Sequence, residues 1–142
     1  MAPVVVAGRR PHEAGAVARL AGQKLEYVQL GPALVWGFSG GSRVVTETVA
    51  HLAGPGGPAR IDPGERPSDA IGTLLGDVVQ TAQVRDSGEL VICFAGGAEL
   101  VVGADADAES WAVAGADGCL IVCLPGGEVA AWTHVPTKVI LH

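Results

Sequence analysis

The most reactive side chains in this sequence belong to three cysteines, Cys93, Cys119 and Cys123. A thiol becomes a nucleophile when a nearby positive charge lowers its pKa, but Cys93 and Cys123 lie in apolar runs with no Lys, Arg or His close in sequence. The odd number of cysteines and the lack of a CxxC spacing argue against a disulfide framework and a zinc site. If Cys119 and Cys123 share a strand, they stand about 13 Å apart, too far for a disulfide. We expect the cysteines to be small apolar core residues.

Other residue types that support chemistry do not occur in a catalytic pattern. In the stretch DADAE, Asp105, Asp107 and Glu109 alternate; on a strand they would share one face and suit a hard cation, but the spacing of a calcium loop is missing, which favours a solvated connection. The four histidines are scattered, and neither HExxH nor GxSxG is present. The sequence therefore predicts a non-enzymatic protein with no catalytic residue, no cofactor and no metal.

Glycine doublets organise the chain. The stretch LVWGFSGGSRVV (34–45) resembles LVICFAGGAELV (90–101) after a shift of 56 residues, and IVCLPGGEVA (121–130) repeats the pattern. Short apolar runs on both sides of a glycine pair predict two antiparallel strands joined by a tight turn, since glycine adopts the positive φ that such turns require. No helix start follows a doublet, so a phosphate-binding loop is not expected.

Between the first two doublets the sequence predicts a long loop and then a helix. Pro and Gly are too frequent in residues 54–67 for regular structure. In residues 68–79 the apolar residues recur at helical spacing, with Ser68 and Asp69 favouring the helix start. The predicted fold is therefore α+β: one antiparallel sheet of about six to eight strands, built from the glycine-doublet hairpins, with one amphipathic helix packed on it.

The chain length fits one domain, residues 1–142. Residues 1–22 form an N-terminal segment of uncertain order, and residues 133–142 a C-terminal tail. Both faces of CLIVCL (119–124) are apolar, so both require cover from the helix, a second layer or another chain. At least two of the residues Trp36, Trp111 and Trp132 are expected to be buried.

The net charge of −6 is unevenly distributed, because residues 86–128 contain eight acidic residues and neither Lys nor Arg. Such a surface repels phosphate backbones, which argues against nucleic acid as a partner, and it favours a basic protein. A simpler interpretation is that the acids keep an apolar chain soluble. No apolar stretch approaches the roughly 18 residues of a membrane helix, and the N-terminus lacks the order of a signal peptide. A cytoplasmic protein with no membrane partner is predicted.

The order of a hairpin with a GG turn, an IDP-type loop, a helix, a second hairpin and then ESWAVAGADG…VCLPGGEVAAW resembles a family of small actinobacterial domains of unknown function, over residues 22–132. The resemblance implies a fold of paired hairpins with one helix and no established activity. It supplies no catalytic residues. By analogy, small acidic domains of this style act as immunity proteins that neutralise a toxin.

These observations predict a protein-interaction domain, an immunity-type or regulatory factor with an acidic surface. The candidate interaction residues are Arg60, Asp62, Glu65, Arg66, Glu99, Asp105, Asp107 and Glu109. The alternative is a small-molecule-binding protein or enzyme with a pocket between sheet and helix. A third possibility is a homodimer whose function involves only itself.

Overall fold

The computed structural model describes residues 5–7, 15–64 and 69–132. Within these ranges the chain forms twelve strands and two short helices, which are β1 (Val5–Ala7), α1 (Gly15–Ala18), β2 (Leu25–Gln29), β3 (Leu34–Phe38), β4 (Arg43–Thr46), β5 (Ala50–Ala53), β6 (Ala59–Ile61), α2 (Asp69–Leu74), β7 (Val79–Val84), β8 (Leu90–Phe94), β9 (Glu99–Val102), β10 (Trp111–Ala114), β11 (Leu120–Cys123) and β12 (Val129–Trp132). The structure is mostly β.

The strands form two antiparallel sheets rather than the single sheet expected. The seven-stranded sheet has the order β1-β12-β11-β10-β4-β3-β2, and the five-stranded sheet has the order β6-β5-β9-β8-β7. The prediction of six to eight strands was too low because several strands, such as β6, have three or four residues and are too short to show an alternating pattern. β6 also lies inside the range 54–67, which was wrongly expected to lack regular structure.

Each glycine doublet lies between two neighbouring strands. Gly40-Gly41 separates β3 from β4, Gly96-Gly97 separates β8 from β9, and Gly126-Gly127 separates β11 from β12; each of these strand pairs is antiparallel. Gly41 and Gly97 have φ values of +88° and +99°, which residues with a Cβ adopt only under strain.

The chain consists of two halves built on one plan. The first half runs α1-β2-β3-β4 and the second α2-β7-β8-β9. The first half then contributes β5 and β6 to the five-stranded sheet, and the second contributes β10, β11 and β12 to the seven-stranded sheet. β5 of the first half pairs with β9 of the second, and β10 of the second half pairs with β4 of the first. Each sheet therefore needs strands from both halves, and neither half completes its own sheet.

A short antiparallel contact joins the halves at their centre, around the bridge between Lys24 and Val78. Four backbone hydrogen bonds form it in matching pairs: Gly22 N to Val79 O at 2.8 Å, Gly76 N to Leu25 O at 2.8 Å, Leu25 N to Asp77 O at 2.9 Å, and Val79 N to Gln23 O at 2.8 Å. A residue of the first half corresponds to the residue 54 positions later in the second half. With this shift, the bond from Gly22 N to Val79 O corresponds to the bond from Gly76 N to Leu25 O. With the same shift, the start of α1 at Gly15 corresponds to the start of α2 at Asp69.

The helix predicted over residues 68–79 is shorter than expected, because α2 ends at Leu74. Gly76 has a φ of +87°, which ends the helix, and Val79 already belongs to β7. Ile71 and Leu74 are buried as expected, but Leu75 and Val78 are 48% and 38% exposed. The apolar spacing continued past the helix end because Leu75 and Val78 lie in the connection and Val79 is the first residue of β7.

One hydrophobic core contains buried side chains from both sheets and both helices. Trp36 and Trp111 are fully buried, as expected for two of the three tryptophans, while Trp132 is half-buried. Ile121, Val122 and Cys123 of β11 are buried within the single chain. The apolar character of β11 therefore does not call for a second copy. The C-terminal tail lies outside the described residues.

Candidate functional site

Three connections meet at one end of the molecule: residues 85–89 between β7 and β8, 103–110 between β9 and β10, and 124–128 between β11 and β12. We call this surface the acidic end. Gly126 N donates a hydrogen bond to Asp105 O at 2.7 Å, and Gly88 approaches Gly127 so closely that a Cβ at Gly88 would collide with its backbone. The indole Nε1 of Trp111 donates to Gly88 O at 2.9 Å. Backbone contacts and a buried tryptophan thus hold the three connections together.

The acidic end carries carboxylates with little neutralising charge. Four acidic side chains of these connections are exposed, namely Asp86, Asp107, Glu109 and Glu128. Arg85 is the one basic residue in the three connections, and its guanidinium pairs with the carboxylate of Glu89. An excess of exposed negative charge on one surface attracts positively charged groups.

Asp105 has a structural role within the acidic end. Its Oδ1 accepts hydrogen bonds from the backbone N of Asp107 at 2.8 Å and of Ala108 at 3.1 Å, the pattern of an Asx turn. Of the three acids in DADAE, Asp107 and Glu109 are exposed and Asp105 is half-buried. The residues lie in a connection, as expected, rather than along one face of a strand.

The other predicted interaction residues lie elsewhere. Arg60 and Asp62 form an ion pair of 3.3 Å, and Arg60 and Glu99 border a shallow hollow of about 370 Å³ beside His51 on the five-stranded sheet. β9 separates Glu99 from the acidic end. Glu65 and Arg66 lie outside the described residues. The six predicted residues that the structure describes therefore belong to at least two surfaces, because the sequence does not show that a strand lies between them.

A larger cleft of about 540 Å³ lies between α2, the β5–β6 connection and the β8–β9 turn. Its lining residues are Leu52, Gly54, Pro55, Gly56, Gly57, Pro58, Ala59, Asp69, Ala70, Thr73, Asp77, Gly96 and Ala98. The walls are mostly small or apolar, and the polar side chains are two carboxylates and one hydroxyl. A pocket between sheet and helix was the alternative expectation, but the sequence shows only the Pro- and Gly-rich stretch of one wall and does not locate the cleft, because the opposite wall comes from α2 and a distant turn.

Comparison with known proteins gives a family for this fold. A model described as Family of unknown function (DUF6188) matches residues 16–133. The chain belongs to this family. The match agrees with the resemblance to an uncharacterised family over residues 22–132. No curated protein and no solved structure shows significant similarity to this DUF6188 chain.

The cysteines of the DUF6188 domain differ in environment. Cys123 is buried, and burial raises the pKa of its thiol above the ordinary value of 9.0, an effect that the neighbouring Ser110 hydroxyl partly offsets. Cys93 and Cys119 are half-buried, so the expectation of core cysteines holds fully for Cys123 alone. The Cys119 Sγ lies 3.5 Å from Asp117 Oδ2 and 3.8 Å from Arg19 Nη1.

Two features are absent from the part of the DUF6188 chain that the structure describes. Residues 5–7, 15–64 and 69–132 include no helix with the length and apolar character that crossing a membrane requires. The same ranges contain no group of three or more His, Cys, Asp and Glu residues placed to hold a metal ion.

Proposed function

We propose that this domain binds a partner protein with a basic surface, and that the acidic end is the contact region. The observation that supports this function is the convergence of three connections whose exposed carboxylates include Asp86, Asp107, Glu109 and Glu128, while the one basic residue among them is already paired. An immunity-type or regulatory factor that neutralises a basic protein requires such a surface.

The physics of the surface favours this role. Clustered charges of one sign accelerate encounter with an oppositely charged partner, and the acceleration falls as salt screens the field. The acidic end is also preorganised, since backbone hydrogen bonds and the Trp111 indole hold its connections in place. A rigid surface loses little conformational entropy on binding.

The test uses a lysine-rich peptide as a probe of the acidic end, followed by NMR amide shifts at low and high salt. We expect shifts concentrated in residues 85–89, 103–110 and 124–128 that vanish at high salt. The variant Asp107→Asn, Glu109→Gln should weaken binding severalfold. The matched control is Glu26→Gln, Asp62→Asn, which removes the same charge from other places. Equal weakening by both variants would show that net charge alone attracts the peptide.

A second candidate function comes from a different class. The cleft beside α2 has a volume of about 540 Å³, within the range of roughly 300–1,000 Å³ typical of small-molecule sites. Its position between sheet and helix favours a small-molecule-binding protein. Amide shifts confined to the cleft residues on addition of a small ligand, with the acidic end unperturbed, would distinguish this function from the first.

A further inference from the structure

The polar side chains of the cleft all present hydrogen-bond acceptors. Asp69 and Asp77 contribute carboxylates. The Thr73 hydroxyl donates its proton to Ala70 O at 2.6 Å, so toward the cleft it acts as an acceptor. No Lys, Arg or His occurs among the described residues that line this space. The cleft is therefore chemically suited to a donor with positive charge.

The carboxylate of Asp77 is held in place by the backbone. Its Oδ1 accepts hydrogen bonds from Val78 N at 2.8 Å and Gly96 N at 3.2 Å. These two bonds use the same oxygen, and a carboxylate has further acceptor capacity at Oδ2. The side chain is half-buried at the cleft wall, where a hydrogen-bonded charge interacts more strongly than in open water.

The first half of the chain shows what fills the equivalent space. With the shift of 54 residues, Arg19 on the chain after α1 corresponds to Thr73, and Gln23 corresponds to Asp77. The Arg19 guanidinium pairs with the carboxylate of Asp117 in the β10–β11 turn. The Gln23 side chain donates from Nε2 to Ser42 Oγ at 2.8 Å and accepts from Gly40 N at 2.8 Å. A half-exposed guanidinium and an amide, both from the chain itself, thus occupy the first half's version of the cleft.

The second half keeps the turn contact, since Asp77 accepts from Gly96 N as Gln23 does from Gly40 N, but the described residues lining its cleft include no guanidinium. Thr73 is too short to replace an arginine, and Ala98 stands where the first half has Ser42. The two opposing turns also lie further apart in the second half. In the first half, a Cβ at Gly41 would lie 2.9 Å from Ala116 Cβ of the β10–β11 turn, whereas in the second half a Cβ at Gly97 would lie 3.9 Å from Pro55 Cγ of the β5–β6 connection. The cleft is the space that the missing guanidinium and its opposing turn would occupy.

We infer that the cleft beside α2 binds a small organic cation of the guanidinium type, with Asp69 and Asp77 receiving the charged group and Pro55, Pro58 and Leu52 contacting an apolar chain. The inference deepens the second candidate function and rests on it. Charge complementarity and the arrangement around Arg19 in the first half define the ligand: a planar donor carried on a short aliphatic chain.

The test uses n-butylguanidinium and the uncharged n-butylurea, two probes of nearly equal shape, titrated into the whole chain with NMR amide shifts as the readout. We expect saturable shifts at cleft residues such as Gly56, Thr73 and Gly96 with n-butylguanidinium, and binding at least fivefold weaker with n-butylurea. Equal binding of both probes would overturn the cation inference and leave a small-molecule cleft standing. No cleft shift with either probe would overturn both.

Two variants test the residues. Asp69→Asn, Asp77→Asn removes both charges while retaining acceptor oxygens, and we expect at least a fivefold weaker affinity for n-butylguanidinium. Thr73→Arg places an internal guanidinium as in the first half and should also abolish binding. Glu26→Gln, which removes an exposed charge on β2 outside both the cleft and the acidic end, is the control and should bind as the wild type does. Wild-type affinity in the folded Thr73→Arg variant would contradict the inference, even if the double variant failed to fold.

Discussion

The two halves of the chain share a backbone plan but differ in what stabilises them. In the first half, the Trp36 indole donates to the Thr46 hydroxyl at 3.0 Å inside the core; the residues equivalent to these in the second half are Ile92 and Val102, both buried and apolar. Around the helices, the first half is closed by Arg19 while the second leaves a cleft. The shared backbone requires glycine at only a few positions. Side chains at the other positions can differ, so the first half has the Trp36–Thr46 hydrogen bond and the second half has the cleft.

The largest effect should come from the core of the first half. Trp36→Ala removes a fully buried indole and leaves the Thr46 hydroxyl without its donor, so we expect a loss of about 3–5 kcal/mol in the free energy of unfolding. Urea denaturation measures it. Ile92→Ala, at the equivalent place, should cost less because no polar partner is orphaned. If the double variant Trp36→Phe, Thr46→Val is less stable than Trp36→Phe alone, the unpaired Thr46 hydroxyl does not destabilise the core as expected.

A smaller difference is expected between the equivalent turn glycines. Gly41→Ala and Gly97→Ala both place a Cβ on a backbone with positive φ, at a cost of about 1–2 kcal/mol each. Gly41→Ala should cost more, because its Cβ would lie 2.9 Å from Ala116 Cβ. The companion change Ala116→Gly should bring the two variants to equal thermal stability. If Gly41→Ala and Gly97→Ala lose equal thermal stability in the presence of Ala116, then Ala116 does not crowd the Gly41 turn.

Local features of the fold were predictable because their causes are local. The positive φ at Gly41 and Gly97 follows from turn geometry, and the apolar runs around them predict strands. The resemblance of residues 34–45 to 90–101 indicated repetition. The family match over residues 16–133 confirmed the resemblance to an uncharacterised family that the sequence shows over residues 22–132.

The remaining features depend on contacts between distant residues. Residues 15–29 and 69–83 occupy equivalent places, yet they share only Ala16, Leu20, Gly22 and Gln29 with their counterparts. Nothing near β5 in sequence shows that it pairs with β9 rather than β4. The acidic end was predicted in part, through Asp107 and Glu109, because a run without Lys or Arg is visible in sequence. The cleft was not located, because its walls come from three separate segments.

The buried thiol of the seven-stranded sheet allows a comparison at high pH. Since burial raises the pKa of Cys123 in the folded state, the folded chain holds that proton more tightly than the unfolded chain. The stabilisation is complete below the ordinary pKa of 9.0 and is lost as pH rises through the folded value, by at most about 1.4 kcal/mol per pH unit. The free energy of unfolding should therefore fall more steeply above that pH in the wild type than in Cys123→Val. Parallel curves would contradict a buried neutral thiol.

The smallest effect on stability is expected from Arg19→Thr, which replaces Arg19 of the first half by the residue type of its equivalent in the second half, Thr73. This variant also tests most directly how the two halves differ. The Arg19–Asp117 pair is about half exposed, with side chains 54% and 42% accessible, so its loss should cost no more than about 1 kcal/mol. Thermal denaturation measures that cost. Arg85→Thr, which removes another exposed ion pair, is the matched control.

The same Arg19→Thr variant joins the stability of the first half to the binding proposed for the second. Removing the guanidinium vacates the space beside Asp117, whose carboxylate keeps its contacts with Cys119, so n-butylguanidinium should shift amides around residues 115–119 in addition to those of the cleft. A second site that appears only in this variant would show that the two halves differ by one internal cation. If the β10–β11 turn shows no new shifts, Arg19 only forms a surface ion pair with Asp117. The two spaces would then be equivalent in backbone position but not in their ability to bind a cation.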